Sequence, residues 1–141
     1  MAGDRSVLGA GADRERLAVM LSYGLYLLAI TNGVTALVGF IVALARREAA
    51  RGTIYESHYR NLITVFLVLA AFAGLMLAAV LAGVLGLFSF AFSPAPWAAL
   101  WWFPVPVMMA PLLGLGWLVL GLWSLWRVIG GFIRALEERP Y

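Results

Sequence analysis

"LAVMLSYGLYLLAITNGVTALVGFIVALA", Leu17–Ala45, carries no charged residue, and how it is divided decides the fold. As one straight helix it would reach about 43 Å at 1.5 Å per residue, against a bilayer core of about 30 Å. It therefore reads as one steeply tilted helix or as two short helices joined at Thr31-Asn32-Gly33. That tripeptide is the strongest turn signal in the segment, because Asn and Gly both tolerate positive φ. With the flanking arginines included, the two arms run from Arg14 to Thr31 and from Gly33 to Ala50, each about 27 Å long. Arginines at the ends of such arms snorkel toward the headgroups.

Composition sets the class. Hydrophobic residues make up 64% of the chain and charged residues 12%, with a mean hydropathy of +0.95. Soluble domains are typically about 45–50% apolar and about 25% charged. From Asn61 through Trp126 there is no Asp, Glu, Lys, Arg or His, a run long enough for two crossings and a connection. These features predict an all-α integral membrane protein. The 141 residues form one domain: a flexible N-terminal tail over 1–13, a transmembrane helical domain over 14–136 and a C-terminal tail over 137–141. The polar start, "MAGDRSVLGAGADRER", lacks the basic-then-apolar order of a signal peptide and is expected to stay attached. The chain has no cysteine, which removes disulfides, thiolate metal sites and thiol nucleophiles.

Charge bias chooses between the topologies. All ten basic residues are arginines, and they flank the apolar segments. That is how orientation signals and contacts with anionic phospholipid headgroups look, and it does not point to nucleic acid. With a hairpin at Thr31-Asn32-Gly33, the N-terminus, the Arg46–Arg60 segment and the C-terminal tail share one face. The positive-inside rule favours that arrangement, a four-helix transmembrane bundle that begins with a helical hairpin and has both termini cytoplasmic. The alternative is three transmembrane helices, the first long and tilted.

"GTIYESHYRNLITVF", Gly52–Phe66, contains the only histidine. Thr53 and Glu56 fit a capping box, with Thr at the N-cap and Glu at N3. Glu56 and Arg60 stand at i and i+4 and are expected to pair. Ile54, His58, Asn61, Leu62 and Val65 share a face that is expected to look into the bundle. With no second histidine and no pair of carboxylates nearby, His58 reads as a structural interfacial residue that fixes the loop against the last helix near Trp126 and Arg127. A pH-sensitive contact is the sharper alternative, and a haem or metal ligand a distant third. Thr53, Glu56, His58, Tyr59, Arg60 and Arg127 together read as the helix start and cytoplasmic interface anchor. Arg60, at the border of the uncharged run, carries most of that role, because moving its charge deeper costs at least about 2.5 kcal/mol. No catalytic, cofactor or metal site is expected.

Ala71, Gly74, Ala78, Ala82 and Gly86 recur at three- and four-residue steps, a stripe suited to close helix packing in lipid. "FSFAFSPAPWAALWWFPVPVMMAP", 88–111, reads as the outer connection. Trp97, Trp101 and Trp102 form a periplasmic aromatic belt, which is a commoner arrangement than a quinone or sterol box. Pro94, Pro96, Pro104 and Pro106 favour extended pieces there. The last crossing then runs from about Val107 to Arg127, with Pro111 near its outer end.

Three segments, "LSYGLYLLAITNGVTALVGFIVALARRE", "SHYRNLITVF" and "WSLWRVIGGFIRALEERPY", occur in an order that resembles a family of small bacterial inner-membrane proteins of unknown function. That family is in turn similar to the chloroplast inner-envelope import component of about twenty kilodaltons (Tic-twenty-like). The proline- and aromatic-rich outer loop departs from the shorter loop of that family. The resemblance implies a four-helix multi-pass protein of the bacterial inner (cytoplasmic) membrane and supplies no reaction. Two roles compete. One is a non-enzymatic structural, accessory or assembly subunit that packs against a larger membrane protein complex. The other is a small transport or protein-translocation component, which would need polar groups at membrane depth.

Overall fold

The computed structural model describes residues 3–92 and 104–141. These residues form four helices: α1 (Gly3–Asn32), α2 (Val34–Arg47), α3 (Ile54–Ala91) and α4 (Pro104–Leu136). No strand occurs among them. Two stretches are long and apolar enough to cross a membrane, Ile54–Ser89 and Met108–Leu136. Helix α2, at about 21 Å, is shorter than the bilayer core.

The division of Leu17–Ala45 falls at a single residue. Gly33 has φ +66° and ψ −34°, a positive-φ conformation outside the left-handed helical region that glycine adopts far more readily than a residue with a Cβ. Its N–H still bonds the Ala29 carbonyl at 2.8 Å, and its own carbonyl accepts from Ala36 N–H at 3.2 Å. Asn32 stays helical, so the reversal needs only the glycine. α1 and α2 pack against each other as an antiparallel pair. Gly39 is buried in the seam. A Cβ there would lie 2.8 Å and 2.9 Å from ring carbons of Tyr26 and 3.2 Å from the Ser22 carbonyl oxygen. α1 also begins further back than the sequence suggests: residues 3–13, read as a flexible tail, are helical. That stretch contains no proline and offers no strong helix stop.

Prolines explain the other shifted boundary. α4 starts at Pro104 rather than near Val107. Pro104 and Pro106 both fall within the first four helical positions, whose N–H groups have no intrahelical acceptor. Pro111 lies inside the helix. The expected Trp97, Trp101 and Trp102 belt, with Pro94 and Pro96, lies outside the described residues.

The chain separates into two compact units. One gathers the residues through Leu67 together with Trp123–Tyr141; the other is Val68–Leu122. The core of the first contains Val19, Ser22, Tyr23 and Tyr26 from α1, Ala43 from α2, His58, Tyr59, Leu62 and Val65 from α3, and Val128 and Ala135 from α4. Each set follows helical spacing. In the second unit Phe72 stacks on Trp117 with ring centroids 5.8 Å apart, and a Cβ on Gly116 would lie 2.9 Å from the Phe72 ring. A cavity of about 260 Å³ there is lined by Ala73, Met76 and Trp117. α3 therefore meets α4 in this unit through its Phe72–Met76 side. The stripe of Ala71, Gly74, Ala78, Ala82 and Gly86 is exposed throughout, and a Cβ at Gly74 or Gly86 would meet nothing within 4 Å.

These two kinds of helical glycine give opposite expectations. Gly39→Ala should destabilise the protein by about 1–3 kcal/mol, the usual cost of overpacking. Gly74→Ala should be neutral or stabilise by up to about 1 kcal/mol through helix propensity alone. Thermal unfolding of the two variants in one detergent checks the contrast.

Candidate functional site

The site is a closed polar cluster at one end of the first unit. His58 is fully buried. Its Nε2 lies 2.8 Å from the Arg139 carbonyl oxygen, so Nε2–H donates there and Nδ1 of the neutral ring is left as an acceptor. Tyr23 Oη stands 3.2 Å from Nδ1 and fills that role as donor. Asn61 Nδ2 donates in turn to Tyr23 Oη at 3.2 Å. Asn61 Oδ1 accepts from Arg127 Nε at 2.7 Å, and the same N–H reaches Tyr141 Oη at 3.0 Å. Tyr141 N–H donates to Ser57 Oγ at 2.9 Å. One continuous network thus ties α1, α3, α4 and the tail together.

The end of α4 supplies the acceptor for His58. Arg139 N–H bonds the Arg134 carbonyl at 3.0 Å and Glu138 N–H bonds the Ala135 carbonyl at 3.4 Å. With Glu138 at φ +56°, these are the 6→1 and 5→2 bonds of a Schellman turn. Glycine is usual at that left-handed position. Here the Glu138 carboxylate makes an ion pair with Arg16 Nη1 at 2.7 Å, and Arg16 Nη2 bonds the otherwise free Leu136 carbonyl at 3.2 Å. The turn carries residues 139–141 back onto α3. Tyr23 reaches the cluster because α4 has a glycine opposite it: a Cβ on Gly131 would collide with the Tyr23 hydroxyl and lie 2.6 Å from Cζ.

A second set of contacts holds the hairpin to the same end. Glu15 Oε1 accepts from Arg46 Nη1 at 2.9 Å, and Glu15 Oε2 accepts from Tyr59 Oη at 3.1 Å. Tyr26 Oη donates to the Leu62 carbonyl at 2.8 Å.

Several expectations change. Thr53 precedes α3, but Glu56 Oε2 reaches back to Gly52 N–H at 2.9 Å and Thr53 Oγ1 donates to the Ala50 carbonyl at 2.7 Å. Only the Glu56 half of the expected capping box forms, on the N–H of Gly52 rather than of Thr53, and Gly52 itself takes φ +77°. Glu56, occupied there, forms no ion pair with Arg60, which is exposed. His58 bonds the tail carbonyl rather than the region of Trp126 and Arg127; Asn61 makes the contact with Arg127. Tyr59 is fully buried. Sequence reasoning missed Glu15, Tyr23, Gly131 and Tyr141. The signal for Tyr23 was present in "LSYGLY", where Ser22, Tyr23 and Tyr26 mark a polar stripe in an apolar helix.

Among the described residues no group of three or more His, Asp or Glu is placed to hold a metal ion. What the cluster offers is hydrogen bonding and charge. No protein-family model matches the chain, no curated protein matches it, and no solved structure matches it.

The burial contrast reverses the order expected for the anchor residues. His58→Ala should cost about 2–5 kcal/mol, through a cavity and through the stranded Tyr23 hydroxyl and Arg139 carbonyl. Arg60→Ala should stay within about 0.5 kcal/mol, as for an exposed side chain that meets no partner among the described residues. Thermal denaturation and cellular abundance of the two variants decide it, and a larger loss in Arg60→Ala would contradict the network.

Proposed function

We propose that this chain is a non-enzymatic accessory or assembly subunit of the bacterial inner membrane that packs against a larger membrane protein complex. The carrying observation is the free face of α3. In its own unit α3 meets α4 through Phe72, while Ala71, Gly74, Ala78, Ala82 and Gly86 stay exposed. Small residues on a lipid-exposed stripe favour close approach of another helix, since apolar burial against lipid gives no driving force. The buried part of the polar cluster supports the same reading, because the donors and acceptors of Tyr23, His58 and Asn61 are met within the chain.

The proposed topology places both termini and the Arg46–Arg60 segment in the cytoplasm, with the α1–α2 hairpin in the membrane. The contacts of Glu15 with Arg46, Arg16 with Glu138 and His58 with Arg139 support it, since they gather all three regions at one end of one unit. Resemblance to the Tic-twenty-like family agrees with this arrangement. It also keeps a translocation component as the second reading, favoured by one observation: Tyr23, His58 and Asn61 form a buried polar string between apolar helices that ends at the half-buried Arg127. Loss of a transport activity in a normally abundant His58→Gln protein would select that reading.

Two measurements test the proposal. Cysteines introduced at Ser6 and Ala49 should resist an impermeant thiol reagent in intact cells, while one at Ser93 reacts; labelling at Ser6 but not at Ala49 would indicate three crossings. Gly74→Leu should leave the thermal stability of the isolated chain unchanged, yet remove co-purifying membrane proteins from a mild-detergent pull-down. A wild-type pull-down from Gly74→Leu would assign the stripe to lipid.

A further inference from the structure

The final turns of α4 carry alternating rings and guanidiniums that the network does not fully use. Trp123, Arg127 and Arg134 stand at i, i+4 and i+11, close to one stripe of the helix. The Arg127 guanidinium carbon lies 5.2 Å from the Trp123 ring centre and 5.1 Å from that of Tyr141. The Arg134 guanidinium carbon lies 5.1 Å from the same Tyr141 ring. Two helical turns, about 10.5 Å, separate the arginines along the axis, and the phenol ring bridges that gap. Its position is fixed by Ser57 Oγ on the backbone N–H and by Arg127 Nε on the hydroxyl.

Neither arginine meets a carboxylate among the described residues. The ion pairs there belong to Arg16, Arg46 and Arg139. Among the described residues the Arg127 side chain commits only Nε to hydrogen bonds, so both terminal nitrogens keep their donors, and the Arg134 side chain makes only the ring contact. Stacking on aromatic faces leaves guanidinium edges open, and such edges match phosphate bidentately.

We infer that Arg127 and Arg134 form a binding site for the phosphate of an anionic glycerophospholipid. The site rests on the reading that the chain lies in the bilayer. A lipid suits it better than a free anion because of what borders it. Trp126, 81% exposed, stands between the arginine stripe and the exposed apolar face of Ile129 and Ile133, where acyl chains find partners. Arg127 also ends the uncharged run, which sets it at headgroup depth. A zwitterionic headgroup is disfavoured, because its ammonium group would lie beside two guanidiniums that meet no carboxylate among the described residues.

The test uses the full chain purified in mild detergent and titrated with phosphatidylglycerol, phosphatidylcholine or inorganic phosphate, read by native mass spectrometry and thermal shift. Phosphatidylglycerol should bind and stabilise, and the other two should not. Arg134→Gln should weaken phosphatidylglycerol binding about fivefold, the effect of roughly 1 kcal/mol per arginine near a membrane surface. Arg134→Lys should fall between, because it keeps the charge and loses the fork. Arg51→Gln, the same charge change at an exposed position elsewhere, should bind as wild type does. Unchanged binding in Arg134→Gln, equal loss in Arg51→Gln, or equal stabilisation by inorganic phosphate would each overturn the site. A chain that stays dispersed without detergent would instead overturn the membrane reading; a detergent-dependent chain whose lipid binding ignores Arg134 overturns the site alone.

Discussion

A histidine with no exposure, held between a phenol and a backbone carbonyl, is the constraint on which the first unit depends. A buried polar group without a partner costs on the order of 2–7 kcal/mol, so both ring nitrogens must be met. Meeting Nε2 requires a carbonyl, and the Schellman turn at the end of α4 delivers that of Arg139. The turn requires a left-handed residue, and Glu138 adopts it while its side chain pairs with Arg16. Meeting Nδ1 requires the Tyr23 hydroxyl, which passes α4 only where Gly131 leaves room. Four separate features of the sequence thus follow from one ring.

Arginine rather than lysine is needed at the other end of the network. Arg127 uses an edge on Asn61 and its planar surface beside Trp123 and Tyr141. An ammonium has neither a planar face to stack nor a fixed fork to divide between acceptors. The chain holds no lysine at all. At the ends of these helices, its arginines combine aromatic stacking and carbonyl capping, the last seen where Arg16 bonds Leu136.

Much of the fold was legible because apolar run length and glycine position are local properties. The helical class and the break at Thr31-Asn32-Gly33 follow from such signals, and the break resolves to Gly33 alone. Helix starts were less legible. Pro104 and Pro106 look like breakers until they are seen to occupy first-turn positions, and residues 3–13 carry no periodic signal. The candidate site was half legible. His58 and Arg127 stand out as rare ionisable groups beside apolar runs, but their partners are fixed by contacts between residues 35 to 81 positions apart, which no local pattern encodes. Arg60 stood out as strongly as His58 and is exposed, since position at a charge border says nothing about which side of the helix a residue occupies.

The glycines divide the structure more sharply than the hydrophobic pattern does. Gly33 and Gly52 supply positive φ. Gly39, Gly116 and Gly131 supply space that a Cβ would fill with a clash against a ring. Gly74 and Gly86 do neither: they are helical, and a Cβ there would meet nothing. Each costs its helix about 1 kcal/mol relative to alanine, and no contact among the described residues offsets that cost. In a membrane the compensation available to such residues is the close approach of another helix, and Gly24, Gly83, Gly114 and Gly130, helical and equally open to a Cβ, pose the same question on α1, α3 and α4 as Gly74 does on α3.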